Sequence, residues 1–217
     1  MEPMFTLEEL LDRLDSARER TLMALEMLPD EALVQPGTIG RWSIADLLSI
    51  LTAWDAEVVT GLMQLQGGKT PERLLAALRQ PDIYNAQRHQ DAQGRDLDAI
   101  FDDFQSSRLH LEEWLSGLSE RALSEPRHYK ALGGEALARV IVRATADHEA
   151  RYLPFLTGFA QRWEDTAEVT SDERQATSGV ELGETIPLGQ IDILALPGAN
   201  GDTADLAFPE DDDDDFE

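Results

Sequence analysis

Apolar residues recur at three- and four-residue steps in four separate stretches of this chain, and proline and glycine punctuate the gaps between them. That periodicity commits the chain to amphipathic helices and leaves little of it for strands. In the first stretch Thr6 and Glu9 form a capping box, in which hydroxyl and carboxylate satisfy the first free amides. Leu10, Leu14, Ala17, Thr21, Ala24 and Leu28 follow on one face, and Pro29 stops the run. The second stretch starts at Trp42-Ser43, repeats the capping signature with Ser43 and Asp46, and carries Leu47, Ile50, Leu51, Trp54, Val58 and Leu62. Its length of about 23 residues gives a rod of roughly 35 Å. Gly67-Gly68 ends it, Thr70-Pro71 opens a short helix, and Asp82 to Gly94 reads as a connection. The third stretch runs from Asp96 to Leu118 and the fourth from Glu135 to Trp163, with a kink expected at Pro154. The expected fold is all-α: a four-helix bundle over residues 1–163. The link between its second and third helices is long enough to cross the bundle, so simple up-down-up-down order is not assumed.

Charge separates that bundle from the C-terminal segment. The chain has a formal net charge of −25, and residues 163–217 hold 17 of the 43 acidic residues against one of the 18 basic ones. With Asp211 to Asp215 near its end, the segment 164–217 is expected to be a disordered acidic tail. The apolar run Ile191 to Leu196, within 190–197, reads as either a short strand or a docking segment. This balance excludes nucleic acid and an anionic membrane surface as partners, because both need clustered basic groups. It allows a basic protein partner for the tail. The absence of cysteine excludes a disulfide framework, a thiolate metal site and a cysteine nucleophile. The charged N-terminus lacks the apolar run of a signal peptide, and a cytoplasmic location is expected.

Three motifs carry a resemblance. The run from Gly40-Arg41-Trp42-Ser43-Ile44-Ala45-Asp46 to Trp54-Asp55 resembles the second-helix signature of the DinB-like superfamily. Asp82-Ile83-Tyr84-Asn85-Ala86 is similar to the link before the third helix in its ClbS/DfsB type. Ala146-Asp147-His148-Glu149-Ala150-Arg151-Tyr152 looks like the fourth-helix motif. The resemblance spans about residues 5–162. It implies a cavity between helices that takes reactive small molecules and, in many members, a divalent metal on three histidines. The positions that match those histidines here are Ile50, His148 and Tyr152. One imidazole is a poor donor set for zinc or nickel, so no metal and no cofactor are expected.

His148 is the central candidate. It falls among inward apolar positions of the fourth helix, where an imidazole needs a partner or pays for lost water. Three roles are open: a core histidine bonded to a second-helix group such as Asp55, a general acid or base facing a pocket, or a metal ligand. In the second role Asp55 would orient the ring and Tyr152 would support it. Glu57 reads as solvated. Tyr84, Asn85 and Arg88 are either connection chemistry or a polar rim that orients a ligand. Trp42 and Trp54 either wall an apolar pocket or are ordinary core residues. His89, His110 and His128 sit in polar contexts at the surface. Two functions are compatible with these residues: a metal-free protein that acts on or sequesters a small reactive molecule, or a non-catalytic scaffold that engages a partner through its tail. A homodimer through an exposed helix face is compatible with both.

Overall fold

The computed structural model describes residues 6–178, with side chains to residue 166. The Ile191 to Leu196 run and the acidic terminus lie outside the described residues. The described residues contain helices and turns and no strand, only an isolated bridge between Ile39 and Trp42.

The bundle is built from α1 (Leu7–Leu25), α3 (Ile44–Gln66), α6 (Leu97–Ser116) and a broken fourth rod of α8 (Leu137–Ala144), α9 (Ala146–Ala150) and α10 (Leu153–Ser178). Shorter helices connect them: α2 (Asp30–Leu33), α4 (Glu72–Arg79), α5 (Pro81–Asp91) and α7 (Glu120–Ser124). Both capping boxes form. Thr6 and Ser43 accept the amides of Glu9 and Asp46, whose carboxylates return to the cap amides.

The core splits into two apolar clusters, and their membership gives the helix directions. Leu10 and Leu14 at the start of α1 share a cluster with Val58 and Leu62 near the end of α3, with Leu111 and Leu115 near the end of α6, and with α8. Leu25, Leu47, Leu48, Ile100, Phe104, Leu156 and Phe159 belong to the other. So α3 and α6 run parallel to each other, while α1 and the fourth rod run opposite to them. The link from α3 to α6 must therefore return the length of the bundle.

That link is helical, although the polar run from Asp82 to Gly94 reads in sequence as a plain connection. Pro81 takes the first position of α5, where its missing amide costs nothing. The helix then lies antiparallel along α3: Tyr84 reaches Ala53, Asn85 reaches Trp54, and His89 reaches Asp46. The polar residues of 82–94 concealed a helix that buries only Tyr84 and Asn85.

The fourth rod is also not the single kinked helix expected over 135–163. Thr145 leaves helical geometry at φ −120°, ψ −89°, and the chain restarts as α9. A second break falls at Arg151-Tyr152. Pro154, two residues on, has no amide to offer the carbonyl of Ala150 and sits in the first turn of α10, where that loss is tolerated. The rod then extends past the expected boundary at Trp163 to Ser178.

Candidate functional site

A polar layer crosses the bundle where the two apolar clusters meet. On α1 it falls between Ala17 and Leu25, on α6 between Phe104 and Leu111, and on the fourth rod between Ala146 and Leu156. The layer has two parts, and adjacent residues on α3 and α9 divide between them.

Asp55 of α3 and Glu149 of α9 face Arg18 of α1 and Arg108 of α6, all four buried. Arg18 donates to Asp55 Oδ2 at 2.9 Å and Glu149 Oε1 at 3.2 Å, and also to the carbonyl of Phe104. Arg108 donates to both Asp55 oxygens at 3.2 and 3.3 Å, to Glu149 Oε2 at 3.0 Å and to the Leu14 carbonyl at 2.7 Å. The Arg18 guanidinium also lies 3.5 Å over the Phe104 ring. Two cations and two anions cancel, and each carboxylate oxygen has a donor. Burial and the neighbouring Arg108 lower the Arg18 pKa, while its two carboxylates pull it back up. Burial acts the same way on Arg108, but Asp55 and Glu149 outweigh it and raise the pKa. Both side chains remain guanidinium ions at any working pH.

Trp54 and His148, one residue before those carboxylates, face the other way. The Trp54 ring sits 4.7 Å from both the Tyr84 and His148 rings, and His148 sits 5.5 Å from Tyr152 in an edge-on pair. Trp54 Nε1 donates to Asn85 Oδ1 at 2.8 Å, and Asn85 Nδ2 donates to the Tyr152 hydroxyl oxygen at 3.0 Å. The indole can only donate, which fixes the orientation of the amide and leaves the Tyr152 O–H to be given elsewhere. His148 is 3% exposed, yet its Nε2 is buried without a hydrogen-bond partner. Burial first, and Arg151 second, lower its pKa to about 4, so the ring is neutral at pH 7. Burial, and then Asp82, raise the Tyr152 pKa and keep the phenol protonated.

The structure thus brings together Trp54, Tyr84, Asn85, His148 and Tyr152, and separates Asp55 from them. The expected Asp55–His148 pair does not form. Successive helical residues point about 100° apart, so turning Trp54 toward His148 turns Asp55 toward Glu149 and the arginines. Trp42 stands apart, with its ring 6.1 Å from His89. Arg88 lies 5.3 Å over Tyr84 and pairs with Asp91 at 2.8 Å. Glu57, expected to be solvated, is buried: it takes Arg73 at 2.8 Å and lies 3.4 Å from the Tyr84 hydroxyl. That hydroxyl also reaches the Ala53 carbonyl at 3.0 Å. His110 and His128 are at the surface and His89 is half-buried.

Arg18, Arg108 and Glu149 are the residues that sequence reasoning missed, and a signal was present. Arg18 falls four after Leu14 and three before Thr21. Arg108 falls four after Phe104 and three before Leu111. Arginine is almost never buried unpaired, so two of them on apolar stripes require two buried carboxylates.

A metal on the three matching positions does not fit. Ile50 offers no lone pair and lies wholly within the apolar core. The Tyr152 oxygen is a neutral phenol that already accepts from Asn85. Among the described residues, no group of three or more His, Asp or Glu side chains is placed to share an ion, and no helix is long and apolar enough to cross a membrane.

A family model described as the DinB superfamily matches residues 13–153. Comparison with curated proteins and with solved structures gives no match.

Proposed function

The chain belongs to the DinB superfamily, and from that membership and the geometry around His148 we propose that it sequesters a small molecule between α3, α5 and α9 without a metal. The observation that carries this reading is the buried, unpartnered Nε2 of His148. A polar atom withdrawn from water without a partner costs about 1–3 kcal/mol. A fold that keeps one beside Trp54 and Tyr152 holds a hydrogen-bonding group in reserve for a ligand. The aromatic rings supply flat apolar walls, and Asn85 and Tyr152 supply the polar contacts that orient what binds. The proposal places the chain with the ClbS/DfsB-type branch, whose motifs those at 40–55, 82–86 and 146–152 resemble.

Between acting on the ligand and holding it, the chemistry supports holding. A base whose conjugate acid has a pKa near 4 gains little by taking a proton at pH 7. The carboxylate that would have raised that pKa, Asp55, is committed to two arginines. Neutral His148 therefore serves as a hydrogen-bonding contact, and Tyr152 as a donor beside it.

The second reading, a scaffold without a ligand, draws support from the same commitment of Asp55 and from the apolar Ile50. Its tail contact falls outside the described residues. One measurement separates the two. The ring nitrogens of His148 would be followed by NMR in the full chain during titration with small aromatic amides and epoxides. A saturable shift at Nε2, together with loss of probe binding in His148→Phe at unchanged helix content, supports the ligand site. A long-lived water on Nε2 that no probe displaces would identify a structural histidine and favour the scaffold.

A further inference from the structure

A cavity of about 660 Å³ lies where α1 meets α2 and α6, and His148 is not part of its lining. Leu22, Met23, Leu28, Leu33 and Phe101 give it an apolar lining. Its size falls in the range of small-molecule sites, roughly 300–1,000 Å³. Met23 is 65% exposed and Met27, one turn further along the chain, is 73% exposed. Methionine is unbranched and polarizable, and adapts to ligands of varied shape.

Apart from Arg18, the charged groups around this groove are all acidic. Asp15 and Glu19 from α1, Glu26 just past its end and Asp30 from α2 stand along it. Among the described residues no cation pairs with Glu19, Glu26 or Asp30. Arg18 is the one cation in the lining. Its Nε, Nη1 and Nη2 are already given to Glu149, the Phe104 carbonyl and Asp55 inside the bundle. Its charge is cancelled there. An apolar body entering the groove leaves water for Leu22, Leu28 and Phe101, and any positive group it carries meets carboxylates. An anionic group of the same size meets repulsion from every side.

We propose that this groove is a binding site for a small organic cation, an amine or quaternary ammonium on an apolar body. Two features commit it to that occupant. The cavity is sized for one small molecule, and its charge favours a cation over a neutral or anionic molecule of that size. None of Trp54, Tyr84, Asn85, His148 and Tyr152 lines this groove, so either proposal can fail without the other.

The test uses three probes with the same eight-carbon tail: octyltrimethylammonium, octanol and octyl sulfate. Each is titrated calorimetrically into the full chain at neutral pH and low salt. The cation should bind at least about tenfold tighter than octanol, a difference of about 1.4 kcal/mol, and octyl sulfate should bind weakest. Raising the salt should shrink the preference, because exposed carboxylates are screened. Glu19→Gln with Glu26→Gln should remove most of the preference for the cation while octanol binding and helix content stay unchanged. That variant also distinguishes this site from cation binding by the acidic C-terminal segment, which it leaves intact. Equal binding of cation and octanol, or an unchanged cation affinity in the double variant, would overturn the proposal. So would a dimer that Met23→Glu dissociates, which would place a second copy of the chain on this face.

Discussion

The two halves of the polar layer share α3 and α9 and satisfy opposite rules. In the Arg18–Asp55–Arg108–Glu149 cluster every carboxylate oxygen has a donor and the charges cancel. In the Trp54–Asn85–Tyr152–His148 group the hydrogen bonds run as a short chain and stop before His148 Nε2. A saturated buried network fixes how helices register, because any slip breaks several charge-assisted bonds at once. An unsaturated one stabilises the fold less than it could and keeps a contact available. The saturated and the unsaturated group are thus separated by a single residue step on α3 and on α9.

The strongest way to break this comparison is to open the saturated half. Arg108→Met strands Asp55 and Glu149 on Arg18 alone, and urea unfolding should show a loss of about 3–5 kcal/mol. Replacing all four members with apolar residues of similar volume should recover much of that loss. If the single variant costs no more than a surface change, the cluster is not what registers the helices.

Acid should find the unsaturated half next. His148 titrates near 4 in the fold, below the ordinary histidine value of 6.5. Between those values the unfolded chain binds a proton that the folded chain refuses, so stability is full above pH 6.5 and falls as pH drops toward 4. The loss at this residue amounts to up to about 3 kcal/mol. His148→Phe should flatten that part of the pH–stability curve. An unaltered curve would show that the imidazole is not withdrawn from water.

Asn85→Ala removes the acceptor of Trp54 Nε1 and should cost about 1–3 kcal/mol, because the indole N–H is left buried and unpaired. Tyr152→Phe removes only an acceptor of the Asn85 amide and should cost less, about 1 kcal/mol. Reversal of that order would mean that Tyr152, rather than Asn85, organises the group.

The smallest effect sharpens the comparison from outside the layer. Burial, and then the neighbouring Asp15, raise Glu112 to a pKa of about 7. The folded chain therefore holds a proton there between pH 4.5 and 7 that the unfolded chain releases, and stability falls as pH rises through that range. Glu112→Gln should stabilise the protein above pH 7, by less than about 1 kcal/mol because solvent reaches the pair, and should have no effect below pH 4.5.

Much of the fold was legible because helix period and capping are local. Thr6 with Glu9, and Ser43 with Asp46, marked two helix starts that the structure keeps. The parts that were not legible have physical reasons. Helix α5 exposes Asp82, Gln87 and Gln90, half-buries Arg88 and His89, and buries too few apolar residues to show a stripe. The break at Thr145 has no proline or glycine to announce it, since threonine is common inside helices. Tyr84, Asn85 and Tyr152 were singled out by their chemistry. That they meet through Trp54 depends on α5 folding back along α3.

The sequence alone determined that this chain makes amphipathic helices, where the two capped ones start, and that acidic residues concentrate toward its C-terminus, because spacing, caps and charge are properties of neighbours along the chain. Which member of each adjacent pair, Trp54 or Asp55, His148 or Glu149, faces the arginines and which faces the aromatic group was decided only by tertiary structure. Residues one step apart on a helix differ by about 100° in direction. The rotation of each helix about its axis is set by what the other helices bring to it, and no stretch of sequence carries that information by itself.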